Sequence, residues 1–185
     1  MKNKDLRTII SEVESRAKTH PIGKLQEIRK DIKNLTRLST RNIFTSLTIH
    51  DEWAFHHGGR KEIQFNIGFE HLDDIDELRF GVAFSLETSQ SLPKIDVLIP
   101  KIKLFNDFIQ LNSEEYADMR MWHYTRKGRS LDYMPTSIPP ELVTNGVFIF
   151  LGKRQPLIQI DYELLLDVLD RLLPLYKYIE SDGNL

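Results

Sequence analysis

Apolar and polar residues alternate without a break between residues 63 and 70. The odd positions hold Ile63, Phe65, Ile67 and Phe69. The even positions hold polar residues or glycine. Because side chains on a strand point alternately to opposite faces, this period of two predicts a strand with one buried face. The strand is the strongest local constraint on the fold.

A glycine pair and further β-rich runs predict that this strand belongs to a sheet. Gly58 and Gly59 stand between two β-rich runs, which predicts a tight hairpin turn leading into a strand at 61–70. Residues 78–87 alternate in the same way and are predicted to pair with 61–70 as an antiparallel neighbour. Further strands are predicted at 43–49, 119–124 and 147–151.

Helical periodicity surrounds the predicted strands. Apolar residues recur every three or four positions at 4–18, 24–38, 94–111 and 161–179. Pro100 either kinks the third helix or begins a second helix there, and Pro174 predicts a bend in the last. The expected fold class is α+β, with an N-terminal helix pair, a mostly antiparallel sheet and packed helices that include a C-terminal helix. We expect a helical pair at 1–40 and an α+β recognition domain at 41–185, packed as one compact unit.

Composition excludes several classes of protein. The 185 residues include no cysteine, which excludes disulfides and cysteine-ligated zinc. Hydrophobic residues make up 41% and charged residues 28% of the chain, as is typical of a folded globular domain. No apolar run reaches the roughly 18 residues of a membrane-spanning helix. The charged start of the chain does not resemble a signal peptide, so a cytoplasmic location and no membrane partner are expected.

The charges are distributed unevenly along the chain. The net charge is −2, which argues against a uniformly basic nucleic-acid-binding protein. Residues 1–50 nevertheless carry eleven Lys or Arg against five Asp or Glu, and residues 120–134 carry four against one. Residues 51–119 between them carry six against fourteen. Two basic segments therefore flank an acidic middle, and either they contact phosphate or they are solvated surfaces.

Both tryptophans of the chain stand in matching local patterns. In each case Trp is followed, after five residues, by Gly-Arg, at 53–60 and again at 122–129. Cations beside aromatic rings suit nucleic acid, because cations contact phosphate and rings stack on bases. The alternative is that both tryptophans are core residues beside exposed basic turns. The candidate nucleic-acid-binding residues are Trp53, His57, Arg60, Lys61, Arg120, Trp122, Tyr124, Arg126, Lys127 and Arg129.

Sequence motifs for catalysis are missing. His56 and His57 are adjacent, so on a strand they point to opposite faces and cannot readily share one metal ion. The only Asp/Glu-x-Lys, Asp31-Ile32-Lys33, falls in a predicted helix, not on a strand as a restriction-type nuclease requires. No phosphate-binding loop, dinucleotide fingerprint or Gly-x-Ser-x-Gly motif occurs. We expect no catalytic residue, no metal and no cofactor in this segment.

Two alternative functions remain open at this stage. One is a stand-alone metal-dependent hydrolase that uses His56 and His57 with the nearby carboxylates Glu52 and Glu70. The other is a protein–protein interaction module that docks through the predicted helix at 24–38. Metal content and the salt dependence of binding would separate these alternatives from a DNA-binding module.

Five stretches resemble an N-terminal segment found ahead of nuclease domains in bacterial restriction-type proteins. They are His-Asp-Glu-Trp-Ala-Phe-His-His-Gly-Gly-Arg-Lys-Glu-Ile-Gln-Phe-Asn-Ile-Gly at 50–68, Gly-Val-Ala-Phe-Ser-Leu-Glu at 81–87, Met-Arg-Met-Trp-His at 119–123, Gly-Val-Phe-Ile-Phe-Leu-Gly at 146–152 and Leu-Leu-Pro-Leu-Tyr at 172–176. The layout of leading helices and then a hairpin is also similar to the N-terminal DNA-binding domain of McrB-like, modification-dependent restriction proteins.

The resemblance implies a DNA-recognition module of a restriction or phage-defence nuclease, with a modified base among its targets. In that role Trp53, His57 and Trp122 would contact a base. The residues that would contact phosphate are Arg60, Arg126, Lys127 and Arg129. The implied partners are DNA and a nuclease domain, in the same chain or in a partner chain. The sequence would then be a fragment of a longer protein, cut at a linker near 182–185.

Overall fold

A computed structural model describes residues 5–72, 74–87 and 95–184 of the chain. It contains the helices α1 (Leu6–Ala17), α2 (Leu25–Ile32), α3 (Ile99–Asn112), α4 (Tyr162–Arg171) and α5 (Leu173–Glu180). It contains the strands β1 (Trp53–Phe55), β2 (Gln64–Leu72), β3 (Ile75–Ser85), β4 (Arg120–Thr125), β5 (Gly128–Arg129) and β6 (Phe148–Pro156). The strands form a six-stranded sheet in the order β1-β2-β3-β6-β4-β5. The predicted α+β class is confirmed.

The chain divides into two compact units. The first unit comprises Met1–His57, Phe65–Gly81 and Lys153–Leu173. The second unit comprises Gly58–Gln64, Val82–Gly152 and Pro174–Leu185. These boundaries differ from the boundary expected at residue 40, which stays a prediction. Residues 4 and 94, at which two of the predicted helices begin, lie outside the described residues.

In the first unit, α1 forms as the periodicity predicts. Asp5 caps the helix by accepting a hydrogen bond from the backbone N–H of Arg7 at 3.2 Å, which satisfies one of the free donors at a helix start. The buried residues of α1 are Leu6, Ile9, Ile10, Val13 and Ala17. On the exposed side, Arg16 forms an ion pair with Glu163 of α4 at 3.0 Å. The apolar stripe therefore faces the core, as expected for an amphipathic helix.

The second predicted helix is shorter than its apolar stripe. It ends at Ile32, because Asn34 adopts a positive φ of 50° that a right-handed helix cannot contain. Leu35 is consequently 37% exposed. The predicted strand at 43–49 is wrong as well, since only an isolated bridge between Ile49 and Ala54 forms there. The apolar residues of 43–49 include Ile43 and Phe44, which are buried without joining a strand.

Strands β1 and β2 pair antiparallel, with Trp53 opposite Gly68 and Phe55 opposite Asn66. The predicted two-residue turn at Gly58-Gly59 is wrong. The connection is longer and includes a short 3₁₀ helix, Gly59–Lys61. Gly58 precedes this helix with a φ of +94°, a backbone conformation that glycine adopts without steric penalty.

The polar face of β2 is buried in the first unit, not exposed as an alternating strand suggests. Asn66 is 1% exposed, and its amide oxygen accepts a hydrogen bond from Nη1 of Arg79 at 2.8 Å. A Cβ atom on Gly68 would lie 2.7 Å from Nη2 of Arg79, so the glycine leaves space for this guanidinium. Glu70 pairs with Arg154 at 3.5 Å. Ion pairs and hydrogen bonds thus replace water on this face.

In the second unit, the predicted helix at 94–111 begins later than the periodicity suggests. Pro100 stands in the first turn of α3, where a missing N–H costs nothing. The alternative that Pro100 begins a helix is therefore confirmed.

In the same way, the stretch predicted as a bent helix at 161–179 forms two helices, and Pro174 stands in the first turn of α5. Proline at these positions starts a helix instead of kinking one.

Buried rings and carboxylates hold the second unit together. Phe105 of α3 packs edge-on against Phe84 at 5.7 Å between ring centres. The hydroxyl of Tyr176 donates to the buried carboxylate of Glu62 at 2.7 Å. Glu180 accepts the backbone N–H of Ile63 at 3.0 Å. These contacts fix α5 to the segment Gly58–Gln64. Within the described ranges, no helix has the length and apolarity that crossing a membrane requires.

Candidate nucleic-acid interface

Strands β4 and β5 form a tight hairpin, residues 120–129, which we call the basic hairpin. Thr125 pairs with Gly128 and Tyr124 with Arg129, so only Arg126 and Lys127 connect the strands. Gly128 has a φ of +113° with open space around it. The side chain of Thr125 accepts a hydrogen bond from the backbone N–H of Lys127 at 3.1 Å. Backbone geometry thus places two consecutive cations at the tip.

Arg126 and Lys127, which we call the tip cations, are exposed. In the described part of the chain their side chains make no hydrogen bond or ion pair. The Arg126 side chain extends beside the turn at Gly146, since a Cβ atom there would lie 3.8 Å from its Nε. Both cations can therefore meet an anion without first breaking an internal contact, which makes them suited to phosphate.

Trp122 lies in the core of the second unit, with no exposed surface. Its ring stacks on Phe150 at 4.6 Å between centroids, and Ala83 completes the cluster. Trp122 faces Phe150 across the antiparallel pair β4–β6. For this residue the alternative of a core role fits the structure, because contact with a base would require the ring to leave the core.

Arg129 and Arg120 are both engaged with the protein itself. The Arg129 guanidinium lies 5.1 Å from the centre of the Trp122 ring. It also pairs with Asp132 at 2.7 Å and donates to the Ser130 carbonyl. Arg120 is exposed and donates to the carbonyls of Ala117 and Met119. Of the four predicted cations in the basic hairpin, these two have structural partners.

Tyr124 and Phe148 form a half-buried aromatic pair beside the tip. Their ring centres are 6.0 Å apart, and both pack against the cluster that contains Trp122. The sequence analysis did not identify Phe148 as a site residue. Phe148 is recognised only from the register of β6 against β4, which places it opposite Tyr124. The pair offers ring surface next to the tip cations, as single-strand-binding proteins do.

His123 lies on the opposite face of β4 and is half-buried. His123 Nδ1 lies 3.2 Å from the Tyr133 hydroxyl. Burial lowers the pKa of His123 below its ordinary value of 6.5. Burial also raises the pKa of Tyr133 to about 12. Both side chains are therefore neutral near pH 7 and add no charge to the basic hairpin.

Arg60 and Lys61 belong to the second unit but to a different element. They lie in the 3₁₀ helix Gly59–Lys61, with Lys61 exposed and Arg60 half-exposed. The repeated Trp-x5-Gly-Arg pattern is therefore not a structural repeat. Gly128 lies in a strand, whereas Gly59 begins a helical turn. Equal spacing in sequence has produced two unrelated backbone shapes.

Trp53 and His57 belong to the first unit. Trp53 is 40% exposed and stacks on His50 at 5.0 Å between ring centres. His57 is half-buried, and its Nδ1 lies 3.3 Å from the Thr45 hydroxyl. Burial, and then the charges of Arg29 and His56, lower the pKa of His57. Of these two predicted base contacts, only Trp53 presents a substantial exposed ring.

Two residues of the metal-dependent alternative, His56 and Glu70, have partners of their own. His56 is fully buried, and its Nδ1 accepts the backbone N–H of Phe65 at 3.0 Å. Glu70 pairs with Arg154, and Glu52 is exposed. Among residues 5–72, 74–87 and 95–184, no three His, Cys, Asp or Glu side chains group closely enough to hold a metal ion.

Comparisons with protein-family models, with curated proteins and with solved structures found no match to this chain. We therefore infer function from the residues of the basic hairpin and their geometry.

Proposed function

We propose that this chain binds DNA through the basic hairpin, as a recognition module without catalytic activity of its own. The observation that carries the proposal is the pair of tip cations, Arg126 and Lys127, which are exposed and make no side-chain hydrogen bond or ion pair in the described residues. Two neighbouring cations on a tight turn can contact consecutive phosphates of one strand.

The position of the turn supports the same proposal. The β4–β6 ladder ends where Tyr124 lies opposite Phe148, so the tip cations lie beyond the paired part of β4. The strand behind them is anchored in the core, because Trp122 packs on Phe150 and Arg129 packs on Trp122. The backbone of the turn is therefore held in place before binding, and only the two cationic side chains become ordered when phosphate is bound.

The aromatic pair gives the interface a second kind of contact. Tyr124 and Phe148 are half-buried beside the tip cations, so ring surface is available next to cationic surface. A ring at this place stacks on an unpaired or displaced base, while the cations hold the backbone. The proposal also includes recognition of a modified base and a nuclease domain as partner in a cytoplasmic restriction system. These two parts are based on the resemblance alone.

The test is fluorescence anisotropy of labelled DNA at about 50 and about 200 mM salt. The probes are an unmodified duplex, a 5-methylcytosine duplex, an N6-methyladenine duplex and a single strand. The double variant Arg126→Gln/Lys127→Gln should bind about tenfold more weakly than the wild type. For this variant, the slope of log affinity against log salt concentration should become shallower by about 2, because two phosphate contacts are lost.

The matched control is Arg37→Gln/Lys103→Gln, which removes one arginine and one lysine that are exposed on other elements. This control has the same net charge as the hairpin variant, so it reports the effect of overall charge. Equal losses in the two variants would overturn the proposal. Failure of every probe to bind at low salt would do the same.

A further inference from the structure

A cleft of about 700 Å³ lies in the first unit, away from every residue of the basic hairpin in sequence. Its walls are the C-terminal end of α1, the turn that leads to α2, and residues 41–43. Small-molecule sites in proteins have volumes of roughly 300–1,000 Å³. The cleft therefore has the size of a site for a small molecule.

The backbone around the cleft is held in place by specific contacts. Gly23 approaches α1 so closely that a Cβ atom would lie 1.9 Å from the Ala17 carbonyl oxygen, so only glycine fits. On the other wall, the Glu14 carboxylate accepts the backbone N–H of Phe44 at 2.7 Å. Burial raises the pKa of Glu14, while hydrogen bonds from Phe44 and Ile43 oppose that rise. Close packing at Gly23 and the hydrogen bond to Glu14 thus hold the backbone on two sides of the cleft.

Three cations line the cleft, namely Lys18, Lys24 and Arg41. All three are exposed. The charge of Lys18 acts on Glu14, whereas Lys24 and Arg41 form no ion pair or side-chain hydrogen bond in the described part of the chain. Lysine and arginine side chains that line one concavity attract a negatively charged group. Guanidinium binds phosphate with two parallel hydrogen bonds, and ammonium adds a point charge.

We infer that this cleft binds a phosphate-bearing small molecule of nucleotide size. A free phosphate ion would fill only a small part of the volume, so the ligand carries a larger group as well. Thr19 and Asn42 on the walls supply polar contacts for that group, and Pro21 supplies apolar surface. Glu27, an exposed carboxylate of α2 that also lines the cleft, can accept hydrogen bonds from the hydroxyl groups of a sugar. The inference is independent of the proposed DNA contact, since its residues lie in the first unit.

The experiment is isothermal titration calorimetry of the whole chain with inorganic phosphate, pyrophosphate, AMP and ATP. AMP or ATP should bind more tightly than inorganic phosphate. Lys24→Gln and Arg41→Gln should each weaken nucleotide binding by roughly three- to tenfold. Glu27→Gln should strengthen it, because a like charge is removed from the wall. The matched control Lys103→Gln, in the second unit, should leave binding unchanged.

Three outcomes would overturn the inference. The first is the absence of binding heat for all four compounds at millimolar concentration. The second is an equal effect of Lys24→Gln and Lys103→Gln, which would show that only overall charge matters. The third comes from a titration with a short oligonucleotide, with and without a 5′-phosphate: binding of the oligonucleotide without any binding of AMP or ATP would exclude a small-molecule site. The hairpin variant Arg126→Gln/Lys127→Gln should keep wild-type nucleotide affinity, so the two proposals fail separately.

Discussion

The guanidinium of Arg129 lies 5.1 Å from the centre of the Trp122 ring. Trp122 is fully buried and Arg129 is only partly exposed. Two residues that local sequence marks as nucleic-acid contacts are therefore in contact with each other. Such cation–π contacts are stronger when the cation is partly withdrawn from water. This pair packs the basic hairpin against the core of the second unit, whereas the charge of the hairpin at the surface comes from the tip cations.

Arg129→Ala should lower the free energy of unfolding by about 1–2 kcal/mol, because the cation–π contact and the ion pair with Asp132 are lost. Arg126→Ala should change it by less than about 0.5 kcal/mol, since its side chain is exposed. Urea denaturation followed by circular dichroism measures both. Equal stability of the two variants would contradict a structural role for Arg129.

Trp122→Ala should cost about 3–5 kcal/mol, because it leaves a cavity against Phe150 and Ala83 in the core. Trp122→Phe should cost less, since a smaller ring still fills much of the space. The same denaturation experiment compares them. A Trp122→Phe protein with unchanged stability and lost DNA binding would show instead that this ring contacts a base.

His56→Phe should lower the free energy of unfolding by about 1–3 kcal/mol, because the buried N–H of Phe65 loses its acceptor. The control is His71→Phe, at an exposed position where the ring pairs with the exposed carboxylates Asp74 and Asp76. Its effect should stay within about 0.5 kcal/mol. A zinc titration of both variants provides a second readout. Loss of zinc binding in His56→Phe, with no change in stability, would favour the hydrolase alternative.

Stability should decrease as the pH falls below about 6.5. Burial lowers the pKa values of His57 and His123 in the folded state. The unfolded chain then takes up protons at a pH where these folded side chains do not, which favours unfolding. His57→Gln and His123→Gln should each flatten the dependence of the unfolding free energy on pH between about 7 and about 5. A slope identical to that of the wild type would contradict this assignment.

The secondary structure could largely be predicted, because it depends on periodicity and on local backbone chemistry. The alternation at 63–70 and 78–87 corresponds to β2 and β3, and the helical periods at 4–18 and 161–179 correspond to α1, α4 and α5. Errors occur where a local signal found no tertiary partner. Within the described residues, the β-rich run at 43–49 forms only one isolated bridge, between Ile49 and Ala54.

The burial of polar residues could not be predicted from the pattern. Asn66 and Glu70 alternate with apolar residues, which normally indicates a solvent face. They are buried because Arg79 and Arg154, distant in sequence, lie over that face and supply hydrogen-bond and charge partners. Which residues cover a strand face depends on which segments the fold brings together.

The sequence by itself determined the fold class, most of the elements and the basic turn at Arg126 and Lys127, since two cations followed by a glycine at positive φ require only local geometry. It could not separate the two tryptophans, which share the same spacing to Gly-Arg. Trp53 stands on β1 at the edge of the sheet and is 40% exposed. Trp122 stands on β4, with a strand on either side, and is fully buried. Exposure is decided by neighbours in space, and only the tertiary structure assigns them.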